Sequence, residues 1–339
     1  MLPENSLFNR YNARMRLDAL FVTLFVLFFA TPFTGVAQII PDFENPIELE
    51  VVPANPAPNQ NVVVRAHNVA GSLGTTSFVW RVNGRIVDQG IGIESIRTQT
   101  GNIGSATSVE VSITDESGST VERSVVLRPA SLEIVWEANT YTPPFYVGRP
   151  LPNGESAITI LAVPNVVQGG SRVSASNMVY RWYVGSSQSP YRSGYGVNTV
   201  TVTPPQFENT FFVRVVAETR DGSVRAEGTT QIVVTRPRVA IYERAPLLGI
   251  RFDQATMAET TLSDDEKTFV AFPLYVNNLD IPDYTWTVGG REATQTGRTE
   301  RELTLRREND AGGQVRVSFV LKNVAALFEE AQESFLLNF

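Results

Sequence analysis

Apolar and polar positions alternate along most of this chain, and nowhere more plainly than in "FVWRVNGRIV" (78–87). A period of two puts Phe78, Trp80 and Val82 on one face of a β-strand. The Asn83-Gly84 pair that follows tolerates the positive φ of a tight hairpin turn. Nearly the same phrase returns as "VYRWYVGSS" (179–187) and "DYTWTVGGR" (283–291). Trp80, Trp182 and Trp286 are 102 and 104 residues apart. Each has an aromatic residue two positions earlier (Phe78, Tyr180, Tyr284) and a valine two positions later (Val82, Val184, Val288).

The flanks repeat as well. Upstream stand "NVVVRAH" (61–67), "AITILAV" (157–163) and "KTFVAFP" (267–273), each reading as a second strand. Downstream, 107–127, 209–234 and 313–339 each hold two strand-like runs around a turn, with Gly118 and Gly222 marking the first two turns. A spacing near 100 residues, many short strands and no helical period predict an all-β chain of three tandem immunoglobulin-like β-sandwiches after an N-terminal signal segment. The expected boundaries are 1–37 for that segment, 38–45 for a linker, and 46–129, 130–236 and 237–339 for the sandwiches. Arg-Pro pairs in "LRPAS" (127–131) and "TRPRV" (235–239) mark the joints. Linkers this short predict three units joined end to end with little play. Each tryptophan is expected to plug the gap between two facing sheets without help from a disulfide.

On these phrases, and on the "VSITDESGST" turn (111–120), the chain resembles bacterial surface-exposed immunoglobulin-like and PKD-like domains across roughly residues 46–339. "IYERAPLLGI" and "QESFLLNF" also resemble segments of uncharacterised exported proteins of candidate-phylum bacteria. The resemblance implies a location outside the cytoplasm and a multidomain surface protein. It implies no particular activity.

The first 37 residues break the alternation. Arg10, Arg14 and Arg16 precede the apolar run "ALFVTLFVLFFA" (19–30), then Pro32 and the small residues Gly35 and Ala37. This is the layout of a secretory signal peptide, with cleavage expected after Ala37. The alternative is an uncleaved membrane anchor through residues 19–37, since the run reaches spanning length only when Thr31–Ala37 is added.

Composition narrows the chemistry. The chain has no cysteine, which removes disulfides, thiolate metal sites and cysteine nucleophiles. His67 is its single histidine, so a multi-histidine metal site would need ligands from a partner, and its place at the end of a strand pattern suits a surface or turn residue better than a catalytic base. Of the 28 basic residues only Lys267 and Lys322 are lysine, and the net charge is −7, the wrong sign for a nucleic-acid partner. No nucleophile elbow, zinc-protease helix or phosphate-cradling glycine loop is present.

Two sets of candidate site residues remain. The insert "NTYTPPFYVGRPLP" (139–152) and the stretch "SPYRSGYG" (189–196) place Tyr141, Phe145, Tyr146, Tyr191, Arg192 and Tyr195 in predicted loops of the middle sandwich. Tyrosines so placed stack on sugar rings or anchor protein interfaces; their competing role is packing against a neighbouring unit. Asp264, Asp265 and Glu266 in "SDDEK" offer oxygen ligands for calcium, although one acidic turn supplies fewer than the six to eight oxygens calcium takes.

The sequence therefore predicts a non-catalytic exported protein of the cell envelope or surface, without cofactor, acting as a spacer or as a recognition module of adhesion type. Its expected partners are a protein or a glycan at the cell surface. A subunit of an extracellular filament or surface-layer assembly is the first alternative. A secreted glycan-active enzyme, or its accessory carbohydrate-binding protein, is the second.

Overall fold

The structure is a computed structural model that describes residues 47–68, 73–187, 191–256, 258–280, 282–294, 299–308, 312–326 and 329–339. The signal segment 1–37 and linker 38–45 expected above lie outside the described residues.

Among the described residues, every regular element apart from one short 3-10 turn at Ala175–Asn177 is a β-strand. The strands fall into three successive blocks of sequence. The first holds β1 (Ile47–Val52), β2 (Asn61–Asn68), β3 (Ser77–Val82), β4 (Arg85–Ile91), β5 (Ser95–Gln99), β6 (Thr107–Thr114) and β7 (Thr120–Leu127). The second holds β8 (Ser131–Ala138), β9 (Ile158–Asn165), β10 (Val167–Gln168), β11 (Ser171–Arg172), β12 (Met178–Val184), β13 (Ser193–Tyr195), β14 (Thr199–Val202), β15 (Thr210–Thr219) and β16 (Arg225–Val233). The third holds β17 (Arg238–Ala245), β18 (Gly249–Ala255), β19 (Glu259–Thr261), β20 (Glu266–Leu274), β21 (Asp283–Val288), β22 (Arg291–Glu292), β23 (Glu302–Arg306), β24 (Gln314–Lys322) and β25 (Glu330–Asn338).

Each block folds into two main sheets. Block one has β1-β2-β5 and β4-β3-β6-β7, and block two has β8-β9-β14 and β13-β12-β15-β16. Block three keeps the plan with additions. β18 extends one sheet to β18-β17-β20-β23, and β19 joins the edge of the other, β19-β25-β24-β21-β22. β19 pairs with β25 in parallel, through Glu259↔Leu336 and Thr261↔Asn338. This is the immunoglobulin-like sandwich arrangement of two antiparallel sheets, one built around the tryptophan strand.

The repeated phrase occupies the same register each time. Trp80 pairs with Val111, Trp182 with Val215 and Trp286 with Phe319. Two residues earlier, Phe78 meets Ile113, Tyr180 meets Ala217 and Tyr284 meets Leu321. All three indoles are fully buried. Around Trp182 the core draws Ile158, Ile160 and Val200 from one sheet and Tyr180, Val213 and Val215 from the other. Around Trp286 it draws Ile241, Phe269 and Leu303 from one sheet and Val317, Phe319 and Phe335 from the other.

An indole also carries a donor that burial obliges the fold to satisfy. Trp80 Nε1 donates to the carbonyl of Ile93 at 2.7 Å, and Trp182 Nε1 to that of Val197 at 2.8 Å. Trp286 Nε1 is buried without an acceptor among the described residues. Two of the aromatic residues ahead of the tryptophans are tied in parallel fashion. Tyr180 donates to the carbonyl of Ala175 and Tyr284 to that of Leu279, each five residues upstream. Burial of Tyr180 pushes its hydroxyl up to about 12.

The turns follow the sequence expectation. Asn83 and Gly84 have φ of 49° and 76°, and Gly289 and Gly290 have φ of 59° and 78°. Both pairs have the two positive φ values of a tight hairpin linking strands of native twist. A different glycine closes block two. At Gly228 on β16 a Cβ would lie 2.8 Å from the Leu132 carbonyl oxygen and 2.7 Å from a Leu132 methyl. Gly228→Val is therefore expected to cost about 1–3 kcal/mol by prising β16 from β8, read as a lowered urea midpoint for unfolding.

The insert 139–152 is a connection between strands: β8 runs unbroken to Ala138, and the insert joins it to β9. The connection from β17 to β20 forms β18 and β19, because Ile250 and Phe252 alternate with polar residues and extend the sheet beside β17.

Candidate recognition surface

The six aromatic and arginine candidates separate into two groups. Tyr141, Phe145 and Tyr146, from the β8–β9 connection, lie against block three. The amide of Tyr141 donates to the carbonyl of Val276 at 2.7 Å, and that of Tyr275 to the carbonyl of Tyr141 at 2.8 Å. The hydroxyls of Tyr146 and Tyr275 are 2.7 Å apart. Phe145 stacks on Phe252, with centroids 4.1 Å apart, and meets Tyr242 and Phe272 edge-on. These rings project from β17, β18 and β20 on the side of their sheet away from the core.

A polar seam runs behind the rings. Buried Asn153 donates through Nδ2 to the carbonyl of Tyr275 at 2.8 Å and to Asn277 Oδ1 at 3.1 Å. The amide of Asn277 donates in turn to the buried carboxylate of Glu329, which also accepts from Asn323 Nδ2. Every group named here is hydrogen-bonded, the condition under which a buried polar network contributes to a unique arrangement. With their rings and backbone groups engaged this way, Tyr141, Phe145 and Tyr146 form a clamp between blocks two and three.

Tyr191, Arg192 and Tyr195 belong to a separate surface. The backbone of 191–192 pairs with Trp182, through the amide of Tyr191 to the Trp182 carbonyl (2.6 Å) and the amide of Trp182 to the Arg192 carbonyl (3.1 Å). The next residues form edge strand β13, which places Tyr195 beside Val179. Tyr191 and Tyr195 are half exposed and Arg192 is exposed. Their hydroxyls donate to the Thr201 carbonyl and to Asn177 Oδ1.

The adjoining sheet face supplies residues that the sequence alone did not single out. The Arg220 guanidinium lies 5.0 Å from the Tyr195 ring centroid, and that of Arg214 lies 4.0 Å from that of Tyr183. Between these stacks Arg181 holds Glu218 in a two-pronged pair at 2.8 and 2.6 Å. The hydrogen bond from Arg181 keeps the Glu218 carboxyl below the usual carboxylate range. Tyr183 lies four residues along β12 from Val179, the neighbour of Tyr195, a separation of about 13 Å along the strand. The signal for these residues was present in "YRWYV" and "FVRVVAETR" as polar and aromatic positions alternating with core positions. Their stacking across strands depends on register.

The acidic candidates do not converge. Asp264, Asp265 and Glu266 are exposed at the start of β20. Among the described residues no group of three or more His, Cys, Asp or Glu is arranged to hold a metal ion. Two other acidic turns have local work. Asp115 Oδ1 accepts from the amides of Ser117 and Ser119 and from the Ser117 hydroxyl. Asp221 accepts from the Thr219 hydroxyl at 2.7 Å, from the Ser223 amide and from Gln168 Nε2.

The Thr219 hydroxyl, with help from the Ser223 amide, lowers Asp221 from 3.8 to about 2. A carboxyl depressed in the fold stabilises it above the unfolded value, and that contribution fades as pH falls from about 4 towards 2. Asp221→Asn is expected to flatten this limb of a plot of melting temperature against pH. His67, on β2, is exposed and lies 3.7 Å from Glu48.

No family model matches the chain, and no curated protein matches it. Solved structures do. Fibronectin(III)-like modules of Clostridium thermocellum CbhA are 11% identical, with a TM-score of 0.27, over 56% of this chain and 94% of that one. The central fibronectin-III array of RIM-binding protein is 12% identical, with a TM-score of 0.28, over 87% and 97%. The Bacteroides ovatus mixed-linkage glucan utilization locus protein SGBP-B, solved with a mixed-linkage heptasaccharide, is 12% identical, with a TM-score of 0.20, over 86% and 70%. Likeness at this level carries no functional argument, and the immunoglobulin-like fold rests on the strand pairing itself.

Proposed function

We propose that the chain is a non-catalytic, exported spacer and recognition protein made of three sandwich domains, with its ligand surface on block two. The observation that carries this reading is the division of the aromatic candidates. One group is built into a clamp that holds blocks two and three together. The other, Tyr191, Arg192 and Tyr195, stays accessible, with Arg220 over the Tyr195 ring and Arg214 over Tyr183 on the neighbouring strands. A clamp suits a stiff spacer, because it removes the swivel that a short linker would otherwise retain.

The chemistry of the surface favours a hydroxyl- and carboxylate-bearing chain, such as an acidic glycan. Arginines already cover faces of Tyr183 and Tyr195, so the surface offers guanidinium and phenol donors with aromatic edges. Two stacks about 13 Å apart suit a polymer laid along β12 better than a single small molecule. Glycan arrays carrying neutral and acidic oligosaccharides provide the test. The wild-type chain should bind acidic members, and Tyr191→Ala with Arg192→Ala should reduce that signal at least tenfold while leaving the melting temperature unchanged. Equal signals from both proteins would remove the proposed surface from consideration.

A further inference from the structure

We infer that Tyr146 and Tyr275 form an oxidative cross-linking site, at which a peroxide-driven one-electron oxidant joins the two phenol rings and makes the joint between blocks two and three covalent. Their hydroxyls are 2.7 Å apart, and the rings meet edge-on at 88° with centroids 6.0 Å apart. The two residues are 129 positions apart in the chain. The site is separate from the ligand surface on block two, and its chemistry does not depend on that surface.

Both rings are held from several sides. The amide of Tyr146 donates to the carbonyl of Pro143 at 2.9 Å. Gly148 packs directly on the Tyr146 ring, where a Cβ would lie 2.8 Å from Cε1 and 3.0 Å from the hydroxyl oxygen. Block two fixes Tyr275 at both of its backbone polar groups, through the Tyr141 carbonyl and Asn153 Nδ2. Its φ of 63° lies in the left-handed region, which a tyrosine keeps only where its surroundings over-determine it. Two reactive groups kept together in this way react as if at very high concentration.

The hydrogen bond also answers a chemical requirement. A neutral phenol that gives up an electron must give up its proton as well, and the second phenol oxygen stands in place to accept it. Burial, with help from the hydrogen bond to Tyr146, pushes the Tyr275 hydroxyl up to about 12, so that proton is present at neutral pH. Tyr275 is buried while Tyr146 is partly exposed, which gives electron and proton a route to solvent. Each ring loses one electron and one proton. The radicals then couple carbon to carbon, ortho to the hydroxyls, and the hydrogens on the coupled carbons move to the oxygens. The two electrons and two protons released convert one hydrogen peroxide into two waters on a haem peroxidase.

The product would serve this chain where a disulfide cannot, since it has no cysteine. A bond across 129 positions restricts the unfolded chain as a long-loop disulfide does. The accessible tyrosines offer no such pairing. Tyr191 and Tyr195 are half exposed, and their hydroxyls donate to the Thr201 carbonyl and to Asn177 Oδ1. Their oxidation would link separate molecules, a product distinct from the one proposed.

Exposure of the purified chain to a haem peroxidase with equimolar hydrogen peroxide tests the proposal, read by peptide mass spectrometry and denaturing electrophoresis. The wild type should yield peptides containing Tyr146 and Tyr275 joined with loss of two hydrogens. The linked chains should still run as monomers, at a yield independent of protein concentration, and should melt at a higher temperature than unoxidised protein. Tyr146→Phe and Tyr275→Phe keep the rings and should lower the yield of linked chains at least tenfold. Gly148→Ala should also lower it, although both phenols remain, because the added methyl displaces the Tyr146 ring. Near-ultraviolet circular dichroism of each variant reports on the fold. A wild type that couples only between molecules, through Tyr191 or Tyr195, overturns the proposal. So does a wild type recovered without any link, or a yield that Gly148→Ala leaves unchanged.

Discussion

Trp182→Ala is expected to lower the unfolding free energy of block two by about 3–5 kcal/mol. The indole is fully buried between the two sheets and donates to the Val197 carbonyl. Truncation leaves a large void that the surrounding Ile160, Tyr180 and Val215 cannot close without leaving their rotamers. It also leaves the half-buried Val197 carbonyl without its donor, a further penalty. Since whole domains are stable by about 5–15 kcal/mol, the loss is a large share of the total. Calorimetry of the variant should show one transition displaced to much lower temperature, with the block-one transition unmoved. An unmoved profile would mean that the ring does not hold the sheets together.

The second large effect is expected at Asn153. Alanine there removes the donors to the Tyr275 carbonyl and Asn277 Oδ1, together with the acceptor for the Glu155 amide. With orphaned buried groups costing about 1–3 kcal/mol each, a loss of about 2–4 kcal/mol follows. Its character should differ from that of the tryptophan variant. The cores of both blocks stay intact while their coupling goes, so a joint transition of blocks two and three should split into two. Asn153→Asp should be worse than alanine, because it turns a carboxylate towards two oxygen acceptors. If alanine and aspartate behave alike, the seam is not what couples the blocks.

The parts of this architecture that could be read from the sequence are those encoded by local period. The alternation around Trp80, Trp182 and Trp286 specifies strand, facing and turn within ten residues, and the register of each follows. The clamp is different in kind. Its contacts join residues 97 to 135 positions apart, from Phe145 with Tyr242 to Tyr141 with Val276, and no period links them. A trace of it does exist in "KTFVAFP". There Phe269, Val270, Ala271 and Phe272 form a continuous apolar run instead of alternating, the mark of a strand covered on both faces. The run indicates that something lies over Phe272, and only the structure identifies it as Phe145. The stacks of Arg214 on Tyr183 and Arg220 on Tyr195 were likewise hidden, since each needs the pairing of separate strands to exist.

One edge strand of block one bears on how this protein would behave in crowded solution. β4 exposes Ile86, Val87 and Ile91, and among the described residues no strand pairs with its outer side. Its pairing with β3 steps from Trp80↔Asp88 to Arg81↔Ile86, so Val87 is an extra residue that bends the strand. An extended chain arriving at that border would meet hydrogen-bonding groups in phase for only two residues on one side of the kink and four on the other. The irregularity therefore works as a guard against fibrous stacking, leaving a greasy margin in open solvent without a template on which copies could zip together.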